Sequence, residues 1–353
     1  MKQSRWQSGV LTTVAMLTSC TIWAQAIAPS SGLISRSGIA YSSKSGKVYV
    51  VDSEHSAIVV LSAGGTAKTV KTGSEPVSIA VDERTGKVYV ANSGDKSVTV
   101  LDGVTDDIVA TVPTAARPYA IAVDERSGKV YVSNTFSNML TIINGKTNTA
   151  TNLKTGSADA ILVDAPHRKV YLLSYEGDSL TLLDESTNMT VRIPAGAMHL
   201  WGIAELGKTL YVTHVQDATV AAIGTEKQGV QEIPTGLMPC ALAVDVEHGA
   251  VYVANYGDGA ISAVNARSGK TMWTVSVGGH PQAISIDETK RLLYVADAQG
   301  QSVSIIDAGQ RRLRNKLQLQ GYPYALAVDT KTHRVFAATM GPAPYEEILA
   351  PRN

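Results

Sequence analysis

Residues able to do chemistry recur at one place in a repeating pattern. The chain reads "SRS", "EPV", "RPY", "SAD", "HLW", "MPC", "HPQ" and "YPY" at residues 35–37, 75–77, 117–119, 157–159, 199–201, 238–240, 280–282 and 322–324, usually around a proline. The flanking positions vary while the surrounding units agree, which marks Glu75, Arg117, Tyr119, Asp159, His199, Trp201, His280, Tyr322 and Tyr324 as candidate ligand contacts. Carboxylate, imidazole and aromatic groups side by side suit a small polar or cationic ligand, or a protein partner. Imidazole with carboxylate can also hold a divalent ion, and the candidates for that are His214, His280, Glu75 and Asp159. They come from separate units, so such a site requires the fold to bring every donor within about 2 to 2.6 Å of one point.

The elements that must position these residues are short strands. Aligned on "VYV", Tyr49, Tyr89, Tyr131, Tyr171, Tyr211, Tyr252 and Tyr294 fall at intervals of 40 to 42 residues, and Phe336 fills an eighth slot. A period of that size signals an array of repeated units. Each unit holds four β-branched or aromatic runs, such as "SIAVD", "VYVAN", "SVTVLD" and "IVATVP". Asp82, Asp124, Asp164, Asp245, Asp287 and Asp329 close the first run, where a carboxylate can accept from backbone N–H groups and cap a turn. Gly86, Gly128 and Gly249 follow where a hairpin needs positive φ. Asn92, Asn134 and Asn255, with His214 in the same slot, read as caps of the next bend. Nothing carries a sustained helical period, so the chain is expected to be all-β.

Four-stranded units repeated at this spacing describe a β-propeller. "VYVAN" at 88–92 and 251–255, "VYVSN" at 130–134 and "YVTH" at 211–214 closely resemble the YVTN-repeat β-propellers, secreted or surface proteins, across about residues 27 to 340. Counting the repeated strands predicts a single propeller of eight four-stranded blades, with seven as the alternative. "EEILA" at 346–350 stands at the offset of an eighth third strand. Gly32 and Gly38 match the spacing of Gly196 and Gly202, which predicts that the N-terminus supplies the outer strand of the last blade and closes the ring.

Such folds place variable loops on one face and tight turns on the other. The loop face is expected to be acidic and aromatic, while thirteen basic residues crowd the opposite turns. That excludes a phosphate-binding groove on the loop face. The leading functional expectation is a non-enzymatic binding or scaffold module. The alternative is a metal-dependent hydrolase similar to propeller lactonases, with Glu75, Asp159, Asn134, His214 and His280 around the ion. A weaker one is a tetrapyrrole or redox propeller with axial histidines. No G-x-S-x-G, H-E-x-x-H, C-x-x-C-H or phosphate-loop motif occurs, and no cofactor is named by the sequence.

Bulk properties set the compartment. The 353 residues are 44% hydrophobic, with thirty-one basic and thirty-one acidic side chains, so no global field draws the chain to nucleic acid or membrane. Lys2 and Arg5 precede an apolar run from Val10 to Ala24, shorter than the roughly 20 residues of a membrane span. This reads as an export signal over residues 1–26, cleaved after Ala26, or as a lipoprotein signal ending before Cys20, which would then carry a lipid anchor. Residues 27–353 form the propeller, in the periplasm, at the cell surface or secreted. The only other cysteine, Cys240, starts an inner strand and is expected to be a small buried hydrophobe rather than a disulfide partner or nucleophile.

Overall fold

Alternating Val, Ile, Tyr and Thr build every regular element. The computed structural model describes residues 33–35, 38–62, 65–226, 229–329 and 331–348, and among them the regular elements are strands alone. Eight antiparallel sheets follow one another along the chain as the blades of a β-propeller. Blade 2 is typical: Pro76–Val81, Lys87–Asn92, Ser97–Asp102 and Ile108–Pro113 pair in chain order from the inner strand to the outer. The third strands are largely buried and the outer strands largely exposed, so the core lies between neighbouring blades.

The repeated tyrosine is explained by what its hydroxyl reaches. All seven are buried, and Tyr49 donates to Gly103 O of the next blade at 3.0 Å, while Tyr211 donates to Ala266 O at 3.3 Å. The turn residue met by this hydroxyl must be small. A Cβ on Gly103 would lie 3.0 Å from the Tyr49 hydroxyl and 2.3 Å from Gly86 O. Lys47 reinforces the junction by donating to Gly103 O, Val104 O and Asp106. Blades are thus joined by side chains reserved for the seam, as well as by apolar packing.

The turn aspartates behave as caps. Asp82 accepts from Arg84 N and Thr85 N, both at 3.0 Å, and Asp124, Asp164, Asp245, Asp287 and Asp329 repeat the arrangement. Gly86, Gly128 and Gly249 all have positive φ.

Ring closure differs from expectation. The last blade shows three strands among the described residues, Tyr322–Val328, Val335–Met340 and Tyr345–Ile348. The short N-terminal strand Leu33–Ser35 pairs antiparallel with Ala160–Asp164, the inner strand of blade 4, rather than with blade 8. The physical reason lies in that inner strand. Six of the eight inner strands begin with a β-bulge, whereas those of blades 1 and 4 pair in regular register, and blade 4 takes the added strand along Ala160 to Leu162. A straight open edge is a template for another strand; a bulge is not. The expected signal, residues 1–26, and Cys20 lie outside the described residues.

Candidate functional site

A bulge sorts the variable loop residues into two rings. In blades 2, 3, 5, 6, 7 and 8 the residue opposite the end of the second strand is Pro76, Pro118, Leu200, Pro239, Pro281 or Pro323, and the register shifts immediately after it. The extra residue re-aims the local side chains. Those after the shift turn inward: Trp201, Cys240 and Gln282 are buried, and Val77, Tyr119 and Tyr324 half-buried. Those before it stay out: Glu75, Arg117 and Tyr322 are exposed, and His199 and His280 half-buried.

The inward ring links blades. Cys240 Sγ lies 3.3 Å from Pro281 O, and Gln282 Nε2 donates to Pro323 O at 3.4 Å. Tyr324 crosses to blade 1, donating to Val51 O at 3.4 Å over Gly38, whose Cβ would fall 2.3 Å from the tyrosine ring. Tyr119 packs against the seam of blades 3 and 4. Three of the expected contacts, Tyr119, Trp201 and Tyr324, and two of their neighbours, Cys240 and Gln282, therefore hold the ring together. Trp201 in particular belongs to the apolar cluster with Cys240 and Tyr256.

The outward ring leans on the preceding blade's loop. Arg117 pairs with Glu75 at 2.6 Å and donates to Ser93 Oγ at 3.3 Å. His199 sits edge-on to Tyr175, ring centroids 5.2 Å apart, and Tyr175 is edge-on to Trp201 at 5.4 Å. His280 stacks on Tyr256 with centroids at 4.6 Å. Its Nδ1 is 3.1 Å from Tyr256 O, and a carbonyl only accepts, so the neutral ring carries its proton on Nδ1 and offers Nε2 as a base or ligand. Glu75, His199 and Met238 hold their positions at φ of 49°, 60° and 53°, backbone conformations that non-glycine residues adopt at a cost of order 1 kcal/mol.

Asp159 completes the arrangement. Its carboxylate accepts from Tyr175 N at 2.8 Å, while burial, with Glu176 nearby, holds its pKa above the ordinary carboxylate range. Asp159, Tyr175, His199 and Trp201 thus meet at the boundary of blades 4 and 5. Tyr175, Met238 and Tyr256 pack on one cluster, which extends the set to His280 on blade 7. This aromatic and imidazole arc is the candidate site. Tyr175 and Tyr256 act through pairs that single-unit reading did not join, although each stands one loop before its histidine in sequence.

The metal candidates do not come together. Among the described residues no three His, Cys, Asp or Glu side chains could hold an ion. Glu75 is held by Arg117 and Asp159 by Tyr175 N. His214 is wholly buried, with Nδ1 3.2 Å from Glu232 and 3.3 Å from Thr219 Oγ1, and His280 stands on blade 7. His214 ends the second strand of blade 5 opposite Leu200 and Thr219, and its ring packs within its own blade. Part of the acidity is also structural, since Asp52, Asp95, Asp258 and Asp297 accept from loop N–H groups. Asn134 caps the bend by donating to Met139 O, whereas Asn92 and Asn255 donate to the third-strand hydroxyls of Thr99 and Ser262 instead.

Comparison with solved structures gives the fold its relatives. The chain is similar to dihydro-heme d1 dehydrogenase NirN in complex with DHE, at 15% identity and a TM-score of 0.72, covering 85% of this chain and 70% of that one. It is similar to the computationally designed Ika8 protein, at 13% identity and a TM-score of 0.71, over 90% and 96% of the two chains. Kuenenia stuttgartiensis hydrazine synthase follows at 14% identity and 0.62, over 79% and 97%. Identities this low speak for the fold alone. No family model and no curated protein matches the chain. Among the described residues no helix is long and apolar enough to cross a membrane.

Proposed function

We propose that this chain is an exported, non-enzymatic binding propeller of the YVTN-repeat kind, holding a small polar or cationic ligand or a protein partner on the loop face of blades 4 to 7. The observation that carries the reading is the double pairing of His199 with Tyr175 and His280 with Tyr256. Each pair presents a half-buried imidazole backed by a tyrosine ring, with the Asp159 carboxylate beside the His199–Tyr175 pair. Stacking, cation–π attraction and hydrogen bonding all fit a ligand held over such an arc.

The test is a ligand and pull-down screen with wild type, His199→Ala, Tyr175→Phe and His280→Ala, each checked for an unchanged melting temperature. Captured ligand should fall in the variants. Identical capture by all of them rejects this face as the site.

A second reading has its own support, the likeness to NirN, which is described in complex with DHE. In this chain the aromatic arc and His280 are the residues that would hold a tetrapyrrole, with Nε2 supplying a nitrogen donor to its metal. Titration with haemin should then give a shifted Soret band that His280→Ala abolishes, and a flat spectrum disposes of it. The metal-dependent hydrolase has no comparable support, since its proposed donors are engaged separately.

A further inference from the structure

The tight-turn face carries a charge pattern that ligand binding on the loop face does not use. Its capping aspartates are buried and committed to backbone N–H groups, which leaves the outward positions of the same turns to lysine and arginine. Lys44, Arg84, Arg126, Arg168, Lys208 and Lys290 are exposed, one from each of six blades, and blade 8 adds Lys331. Blade 6 is the exception on its first turn, with Glu247, but exposes Arg267 and Lys270 on its outer one. Over all these turns and the first outer-strand residues, twelve described Lys and Arg are exposed against four carboxylates, Asp107, Glu125, Glu226 and Glu247.

Several of these cations also tie the turns together through backbone oxygens. Lys331 donates to Ser43 O, Lys44 to Arg84 O and Arg84 to Glu125 O, and Arg84 also lies 3.8 Å from the Asp82 carboxylate. Lys208 pairs with Glu226 at 2.7 Å. Exposed apolar side chains lie among them: Val104 at 70%, Met189 at 67% and Val246 at 56% exposure.

We infer that the turn face docks on the surface of an anionic phospholipid bilayer. One cation per blade around a disc is a planar array, which suits a plane of headgroups better than the linear track of a nucleic-acid backbone. Among the described residues the exposed Phe and Tyr side chains, Phe136 and Tyr322, stand on the loop face, and the turn face offers a base the imidazole of His167, which already pairs with Asp164 at 2.8 Å. Val104, Met189 and Val246 can enter the headgroup boundary instead. Docked this way, the loop face points away from the membrane and stays open.

The experiment is sedimentation of the full chain with vesicles of phosphatidylcholine alone and with a one-third share of phosphatidylglycerol, at low and high salt. Binding is expected on the anionic vesicles only, with release by about 0.5 M NaCl, where the screening length shrinks to a few ångströms. Reversing four charges together, Lys44→Glu, Arg126→Glu, Arg168→Glu and Lys290→Glu, should lower the partition at least about a hundredfold. The charge-conserving set Lys44→Arg, Arg126→Lys, Arg168→Lys and Lys290→Arg should retain it, which controls for folding. Equal binding to neutral vesicles, an unaffected charge-reversed variant, or tighter binding to an equally charged duplex DNA would each overturn the proposal. Loop-face variants such as His280→Ala should sediment like wild type, so failure here is separable from failure of the ligand site.

Discussion

The Tyr131 hydroxyl donates to the Glu185 carboxylate across the seam of blades 3 and 4, at a turn position where Tyr49 meets Gly103 and Tyr211 meets Ala266. Glu185 is buried, Asp124 stands near it, and Lys129 gives its ammonium to the Glu185 backbone oxygen at 3.2 Å. Blade 4 therefore fills with a carboxyl the space other seams leave to a small residue.

A pH dependence follows from that exchange. Burial raises the Glu185 pKa above its ordinary value, with the Asp124 charge acting in the same direction. A group whose folded-state pKa is raised binds its proton more tightly in the fold, so its stabilisation is full below the unfolded pKa and is lost as pH rises through the folded one. Glu185→Gln keeps an acceptor for Tyr131 and removes the charge. Its melting temperature should exceed wild type at pH 8 and converge with it near pH 4. A constant gap across that range would show that the carboxyl does not titrate differently in the fold.

The small residue at the ordinary seams should be just as demanding. Gly103→Ala places a Cβ 2.3 Å from the Gly86 carbonyl, an approach that backbone must move to relieve. The expected loss is about 1 to 3 kcal/mol, the usual range for overpacking. Tyr49→Phe removes one hydrogen bond and should cost about 1 kcal/mol. Adding Tyr49→Phe to Gly103→Ala should not restore stability, because the carbonyl clash remains. Chemical denaturation of the three variants distinguishes these outcomes.

Trp201 and His199 are two residues apart, and the bulge between them gives them opposite fates. Trp201 is 9% exposed within the cluster of Cys240 and Tyr256, so Trp201→Ala should destabilise by about 3 to 5 kcal/mol. His199 is half-buried at the outer ring, and His199→Ala should change melting little. If Trp201→Ala melts like wild type while His199→Ala does not, the two rings have been assigned the wrong way round.

That same pair shows what the sequence could tell. Strands, turns and blade number were legible because they depend on neighbours within one unit: Val and Tyr alternate, Asp caps two residues on, and the period repeats. The loop positions were legible as a set, since a repeating scaffold makes variation visible. Their division was not, because a bulge is a mismatch between two strands and has no mark in either alone. The His280–Tyr256 stack was hidden for a related reason: it joins one blade's lead-in loop to the previous blade's outer loop. The metal set failed because His214 sits beneath its own loop, opposite Leu200 in the pairing. The N-terminal strand went astray because glycine spacing says nothing about which strand edge is straight.

Glu205 offers a second titration at a different seam. Burial first, and the Asp164 charge second, push its pKa up to about 7, against the opposing pull of His167 and Lys169. By the same sign rule its contribution is complete below about 4.5, its ordinary value, and fades as pH climbs to about 7. Because the side chain is partly open to water, solvent screening reduces the effect, and a shift of a few degrees in melting temperature is the expected size. Glu205→Gln should flatten this part of the curve between pH 5 and pH 8 while leaving the Glu185 step in place, since the two carboxyls lie on different seams and should add independently. Loss of both steps in the single variant would mean that blades 3 to 5 titrate as one coupled unit.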